Sequence, residues 1–214
     1  MENQKILEDI FIELRKRYNP HGWWPAETPF EIAIGAVLTQ NTNWNNVEKA
    51  ISNLKKLRVL SPEGLCKLDN RTLIEAIKPA GFYTRKSKVV KAISRIFKSL
   101  WVEEDMFEIR KKLLSIKGIG KETADSILLY AFERPIFVVD AYTLRFLKRY
   151  GFDNLVDYDH VQAMFQNAFP GNVSLFRDFH AVIVEHSKAL CRKKPDCNNC
   201  FLIKCKRAAD AGTP

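Results

Sequence analysis

Four of the five cysteines crowd into one short stretch late in the sequence: Cys191, Cys197, Cys200 and Cys205. Their spacing is Cys-x5-Cys-x2-Cys-x4-Cys. Thiols at that density read as metal ligands before they read as disulfide partners. A tetrahedral zinc site commonly uses two short pairs, and this stretch has a single Cys-x2-Cys. Four thiolates in one compact loop also suit a [4Fe–4S] cubane. Two further places invite chemistry. Gly118-Ile119-Gly120 interrupts the helical stretch MFEIRKKLLSIKGIGKETADSILLYAF. Asp140 follows the apolar run Phe137-Val138-Val139, where a new helix begins. A carboxylate there is at least a helix N-cap, and it can also stabilise a developing positive charge.

The remaining elements must position these groups. Ile6, Leu7, Ile10, Phe11 and Leu14 form a 3.6-period stripe on a first helix. A break at NPHGWWPAETP follows, and Phe30 to Leu38 reads as a mostly buried helix. The polar turn Thr39-Gln40-Asn41-Thr42 stops it, and an amphipathic helix runs from Asn43 to about Leu57. Ser61-Pro62 is an N-cap with a first-turn proline, and Asn70 caps another short helix ending before Pro79. A basic amphipathic helix spans about Thr84 to Leu100. Beyond Asp140, helices are expected at about 141–150, 159–168 and 173–190. The last carries Phe176, Phe179, Val182, Ile183 and His186 along one side. The fifth cysteine, Cys66, reads as an inert core thiol in a helical stretch. The pattern is all-α.

Composition agrees. With 214 residues the chain suits one large domain or two lobes, and it needs no disulfide to fold. A hydrophobic content of 46% excludes a disordered chain, and nine Gly with nine Pro argue against a β-sandwich or barrel. No apolar run is long enough to span a bilayer, and the charged start MENQKILEDIFIELRKRY is not a signal peptide. A net charge of +9 suits a polyanionic partner, nucleic acid or a membrane surface.

Helix, Gly-x-Gly, helix is the helix-hairpin-helix pattern. Its glycines permit positive φ and leave no Cβ in the way. Backbone N–H groups at the second helix's start can then approach a phosphate. KGIGKETADSILLYAFERPIFVVDAYTLRF, read with AVLTQNT, GFYTRKSK and the cysteine loop, resembles the endonuclease III superfamily of DNA glycosylases. The resemblance covers nearly the whole chain. It implies cleavage of the bond between a base and deoxyribose after the base is flipped out of the duplex. Asp140 takes the place of the catalytic carboxylate, stabilising an oxocarbenium-like sugar and orienting water. Gln40, with Asn41, takes the place of the residue filling the gap left by the base. Gly118, Gly120, Lys121, Arg85 and Lys86 are the expected DNA-binding residues. Cys191, Cys197, Cys200 and Cys205 take the place of the ligands of a [4Fe–4S] cluster, with zinc as the alternative, although two gaps are each one residue shorter than usual. That loop also bears Arg192, Lys193, Lys194, Lys204, Lys206 and Arg207, a basic patch suited to phosphates.

One departure bears on the reaction. Superfamily members that also cut the strand carry a Lys just before the Thr-Ala of the second hairpin helix. Here that position is Glu122, which cannot form an imine. Lys121 is one residue off, about 100° around a helix. The expectation is a glycosylase without lyase activity. Trp23, Trp24, Pro25 and Trp44 are the expected base pocket, since aromatic faces stack on a base and attract a cationic one. WWP, the aromatic after QNT and PAGFY together resemble the 3-methyladenine branch, whose best-known type lacks the cysteine loop. An alkylated purine such as 3-methyladenine is the expected substrate. The alternatives are a glycosylase/lyase for oxidised pyrimidines, a mismatch or oxidised-purine glycosylase, and a non-enzymatic, structure-specific DNA-binding protein. The expected architecture is a six-helix barrel over 26–134 and a second helical lobe of 1–25 and 135–214, the latter bearing the cluster loop 191–205. DNA is expected across the cleft of a cytoplasmic monomer that does not engage membranes.

Overall fold

A computed structural model describes residues 2–152 and 157–206. Among these residues there are eleven α-helices and no strand. No described helix is long and apolar enough to cross a membrane. The chain divides into two compact units, one of residues 1–23 and 135–214, the other Trp24–Arg134.

In the first unit, helix α1 spans Glu2–Arg15 and buries Leu7, Ile10 and Leu14. The rest of this unit follows Pro135, so the helices of the second unit come next in chain order.

The second unit opens with α2, Pro29–Thr39, whose N-terminus is set by Thr28 accepting from the Glu31 N–H at 3.1 Å. Nearly every residue of α2 is buried, including Ala33, Ile34, Val37 and Leu38. It is the unit's central helix, hydrophobic on all sides as such a helix must be. Around it come α3 (Trp44–Lys56), α4 (Pro62–Lys67), α5 (Asn70–Ile77), α6 (Tyr83–Trp101), α7 (Met106–Leu114) and α8 (Lys121–Ser126). A π-helical turn, Ile127–Ala131, extends α8 and packs on α2. Ser61 caps α4. Asp69 rather than Asn70 caps α5, accepting from Thr72 N–H at 2.9 Å and leaving Asn70 as the first helical residue.

Two further expectations fail in this unit. Cys66 is exposed, because the short α4 buries only Leu65. Lys86 is not on the surface. It is 2% exposed, and its ammonium donates to the carbonyls of Leu38 at 2.8 Å and Ala80 at 2.7 Å. Burial lowers its pKa to about 8. Lys91, likewise buried, donates to the carbonyls of Cys66 and Leu68. Both ammonium groups meet carbonyls at the C-terminal ends of α2 and α4, where orphan acceptors and the helix dipole favour a cation. Lys86 is therefore withdrawn from the DNA-contacting residues. The hairpin helices α7 and α8 are joined by Arg110, which reaches the fully buried Asp125 in a bidentate pair at 2.6 and 3.0 Å.

The first unit resumes with α9 (Ala141–Tyr150), α10 (Tyr158–Ala168) and α11 (Val173–Ala189). Phe137 stacks face to face on Phe165 at 3.6 Å, and Phe176 meets it edge-on. The α11 stripe of Phe176, Phe179, Val182, Ile183 and His186 is buried throughout. The cysteine loop follows α11 directly.

Candidate active site

Asp140 is positioned by its own chain neighbours. Ile136, Phe137, Val138 and Val139 are buried, so the strand-like run has one route into the core. The chain then turns into α9 with Asp140 as N-cap. Asp140 Oδ1 accepts from the Thr143 N–H at 2.7 Å and from the Thr143 hydroxyl at 2.8 Å. Asp140 Oδ2 lies 3.7 Å from Nε2 of His180 on α11, an ion-pair distance a little long for a hydrogen bond. Burial alone would push the Asp140 carboxyl up. The neighbouring His180, then Thr143, more than offset that and hold it below the ordinary aspartate value. A carboxylate that stays ionised while nearly dry can stabilise a positive charge strongly.

The hairpin turn uses its glycines differently. Gly118 has φ +108°, and a Cβ there would stand 2.9 Å from Val89 Cγ2. Gly120 has φ −100° as the N-cap of α8, with open space where its Cβ would lie. Positive φ is thus a need of Gly118 alone. At Gly120 the missing side chain leaves the first N–H groups of α8 open to an approaching oxygen. Lys121 and Glu122 are the exposed first two residues of α8. Arg85 is exposed on the first turn of α6.

Gln40 follows α2 and ties it to the hairpin. Its amide donates to the Gly118 carbonyl at 3.1 Å and to the Thr123 hydroxyl at 2.9 Å. Asn41 is exposed, with φ +53°. Gln40 must release two hydrogen bonds to enter a duplex, whereas Asn41 already projects. Phe82, quoted from the sequence only within GFYTRKSK and PAGFY, was given no role of its own there. It is 65% exposed with φ +45° and precedes α6. A bulky residue in that conformation is strained. The available signal was Gly81, which turns the chain with φ +70°.

The tryptophans separate. Trp24 meets Trp44 edge-on at 5.8 Å and Tyr130 at 4.9 Å. It lies over Gly35, where a Cβ would be 3.5 Å from the Trp24 indole nitrogen. Trp24, Pro25 and Trp44 line one cavity of about 250 Å³ together with Gly35, Glu31 and Glu48. The Trp44 indole N–H donates to Glu48 at 2.9 Å, and Glu31 pairs with Lys55 at 2.8 Å. Trp23 belongs instead to the unit that carries Asp140. Its indole N–H donates to Glu185 at 2.9 Å, and its ring meets His180 edge-on at 5.4 Å.

Cys191, Cys197, Cys200 and Cys205 are all half-buried and none is in a disulfide. Burial pushes the Cys200 thiol up, and the charges of Cys205, Cys191 and Cys197 add to that. Among the described residues no three His, Cys, Asp or Glu side chains form a group that could hold a metal ion. Arg149 on α9 donates to the Cys191 carbonyl at 3.1 Å and to its sulfur at 3.4 Å. His186 lies under the loop, 3.9 Å from Cys200 Sγ, and burial lowers its pKa to about 4. Arg192, Lys193, Lys194, Lys204 and Lys206 are exposed, Lys204 pairing with Asp9 at 2.8 Å. Arg207 lies outside the described residues.

The family described as HhH-GPD superfamily base excision DNA repair protein matches residues 34–170. A Methanocaldococcus jannaschii protein named "Putative DNA repair glycosylase" is 43% identical over 205 residues, covering 92% of this chain and 93% of its own. Endonuclease III of Thermotoga maritima is 28% identical, covering 92% and 90%. Among solved structures, the H. pylori 3-methyladenine DNA glycosylase bound to 1,N6-ethenoadenine aligns with a TM-score of 0.73 and 33% identity, covering 87% of this chain and 97% of that one. A non-covalent endonuclease III–DNA complex aligns with a TM-score of 0.82 at 21% identity, covering 99% of each chain, which is a likeness of fold.

Proposed function

The chain belongs to the HhH-GPD superfamily and is a DNA glycosylase of base excision repair, and on that premise we propose that it is monofunctional and acts on alkylated purines such as 3-methyladenine. Asp140 is the observation that carries the reading. A nearly dry carboxylate kept ionised stabilises the oxocarbenium-like sugar as the base departs, and orients the water that replaces it. Glu122 supports the absence of lyase chemistry, because a carboxylate cannot attack the sugar carbon to form an imine. The Trp24–Trp44 cavity supports a flat, cationic base. Aromatic faces attract a cation, and Glu48 adds a carboxylate to the lining, whereas Glu31 is paired with Lys55, which lines the same cavity. The relative bound to ethenoadenine supports a modified purine.

DNA is held by backbone contacts in this reading. The α8 N-terminus behind Gly120 takes a phosphate, with Lys121 and Arg85 beside it. Asn41, Gln40 and exposed Phe82 contact the opened duplex. Cys191, Cys197, Cys200 and Cys205, four thiols in one compact loop, would hold a [4Fe–4S] cluster. The cluster supplies a structural cross-link when bound, holding the exposed basic loop in shape. Base release from duplexes carrying 3-methyladenine, thymine glycol, 8-oxoguanine or a mismatch tests the substrate. Fastest release from the alkylated duplex is expected. Preference for any of the others overturns the alkylation reading.

A further inference from the structure

Asp140 uses its two oxygens differently. Oδ1 is committed to the helix cap, with two donors from Thr143 at 2.7 and 2.8 Å. Oδ2 therefore carries whatever the carboxylate offers to a substrate, and the side chain that stands against it is His180. The imidazole is itself confined. His180 is 4% exposed. Trp23 meets it edge-on at 5.4 Å and Phe137 at 6.5 Å. Trp23 is pinned in turn by its N–H bond to Glu185. The ring cannot turn away from Oδ2 without displacing two aromatic neighbours.

From this geometry we infer that His180 is a positioning residue for catalysis, its Nε2 facing Asp140 Oδ2 so that the carboxylate keeps one orientation and stays ionised through the reaction. The inference rests on the reading of Asp140 as the catalytic carboxylate. It goes beyond that reading by assigning a second residue, distant in sequence, to the same chemistry. A carboxylate capped through one oxygen and faced by an imidazole at the other needs little reorganisation as the sugar becomes cationic, which is where preorganised electrostatics act. His180 also lowers the Asp140 pKa against the effect of burial. Removing it must let that pKa rise, so protonation would inactivate the enzyme at higher pH than before.

Charged groups on the neighbouring elements have partners of their own. From α9, Thr143 faces Asp140, and Arg145 donates to the carbonyls of Cys191 and Ser187. From α11, Glu185 and Lys188 pair with each other and engage Trp23. From α1, Arg15 pairs with Asp178. The ionisable side chain that stands against Asp140 Oδ2 is His180.

The test compares His180→Phe, which keeps a ring in the same space, with His180→Gln, which restores an N–H near the Nε2 position. Single-turnover base release from a 3-methyladenine duplex is followed from acid to neutral pH. Affinity is read separately on a duplex carrying a tetrahydrofuran abasic analogue. The expected result for His180→Phe is an acid limb displaced upward by about one pH unit, the scale of one close partner. On the acid side of the displaced limb its rate falls about tenfold, with duplex affinity unchanged. His180→Gln should recover most of both. An acid limb that stays at the wild-type pH in His180→Phe overturns the inference, as does His180→Gln behaving no better than His180→Phe. If His180→Phe melts below the assay temperature, His180→Met, equally without a donor, takes its place. Asp140→Asn is the reference. Near-normal release by Asp140→Asn would overturn the catalytic reading and this inference together. An inactive Asp140→Asn beside a His180→Phe with an unmoved acid limb would overturn the positioning role alone.

Discussion

The hairpin offers a pair of substitutions whose effects should part company. Gly118→Ala forces a Cβ to φ +108° and to within 2.9 Å of a Val89 methyl. Backbone strain of that kind costs about 1–3 kcal/mol, and Val89 must also shift. At about 2–3 kcal/mol in total, the melting temperature should drop by about 4–12 °C for a chain of this size. Gly120→Ala meets neither obstacle, since φ is −100° and the space is open. A slightly poorer N-cap and a stiffer unfolded chain oppose each other, each by less than about 1 kcal/mol. Stability should therefore stay near wild type. The new methyl would nonetheless stand before the first N–H groups of α8. If those groups hold a phosphate, losing one such charge-assisted bond costs about 1.5–3 kcal/mol, or tenfold and more in affinity. Urea denaturation measures the first effect, and fluorescence anisotropy with a duplex at fixed salt the second. Wild-type affinity in Gly120→Ala would refute phosphate binding at this helix end. Equal destabilisation by both substitutions would refute the geometric distinction between the two glycines.

Other substitutions test the rest of the account. Asp140→Asn preserves the cap on Thr143 while removing the charge; single-turnover base release should fall by about a hundredfold or more with duplex affinity retained. Purified without oxygen, the protein should contain about four irons per chain and absorb broadly near about 400 nm, as measured by metal analysis and spectroscopy; one zinc and no iron would overturn the cluster. Trp44→Ala opens the cavity wall that faces Trp24. Excision of the alkylated base should drop by up to about thirtyfold while binding to an undamaged duplex stays near wild type, because phosphate contacts dominate affinity.

Much of the fold could be read from periodicity and caps. Phe176, Phe179, Val182, Ile183 and His186 share one face of α11 because their spacing allows nothing else. Ser61-Pro62 and Asp140 mark helix starts because a side-chain oxygen there satisfies an otherwise orphan N–H. Lys86 was misread from its charge. Its position in sequence shares the phase of Val89, Val90, Ile93 and Phe97, so the helix turns it inward whatever it carries. A helix end with free carbonyls happens to receive it. Cys66 failed for the converse reason: an apolar residue on a helix too short to bury two positions stays outside. Trp23 and Trp24 are neighbours in the chain yet serve different units, and no local pattern encodes where a chain leaves one core for another. His180 was not singled out from the sequence, where the stripe read on α11 ends on His186 instead. Its place beside Asp140 depends on how α9 packs on α11, a contact across 40 positions of sequence that no spacing rule reaches.

The central claim, excision of an alkylated purine without strand cleavage, is tested most directly on one labelled duplex. A strand carrying a single 3-methyladenine is incubated with the enzyme and divided among plain quenching, hot alkali, and borohydride added during the reaction. The released base is measured alongside strand length. The account predicts free 3-methyladenine, an intact strand after plain quenching, cleavage only after alkali, and no borohydride-trapped adduct, because Glu122 stands where a lyase would need an amine. An intact base, or a strand cut before alkali with protein trapped on it, would contradict it.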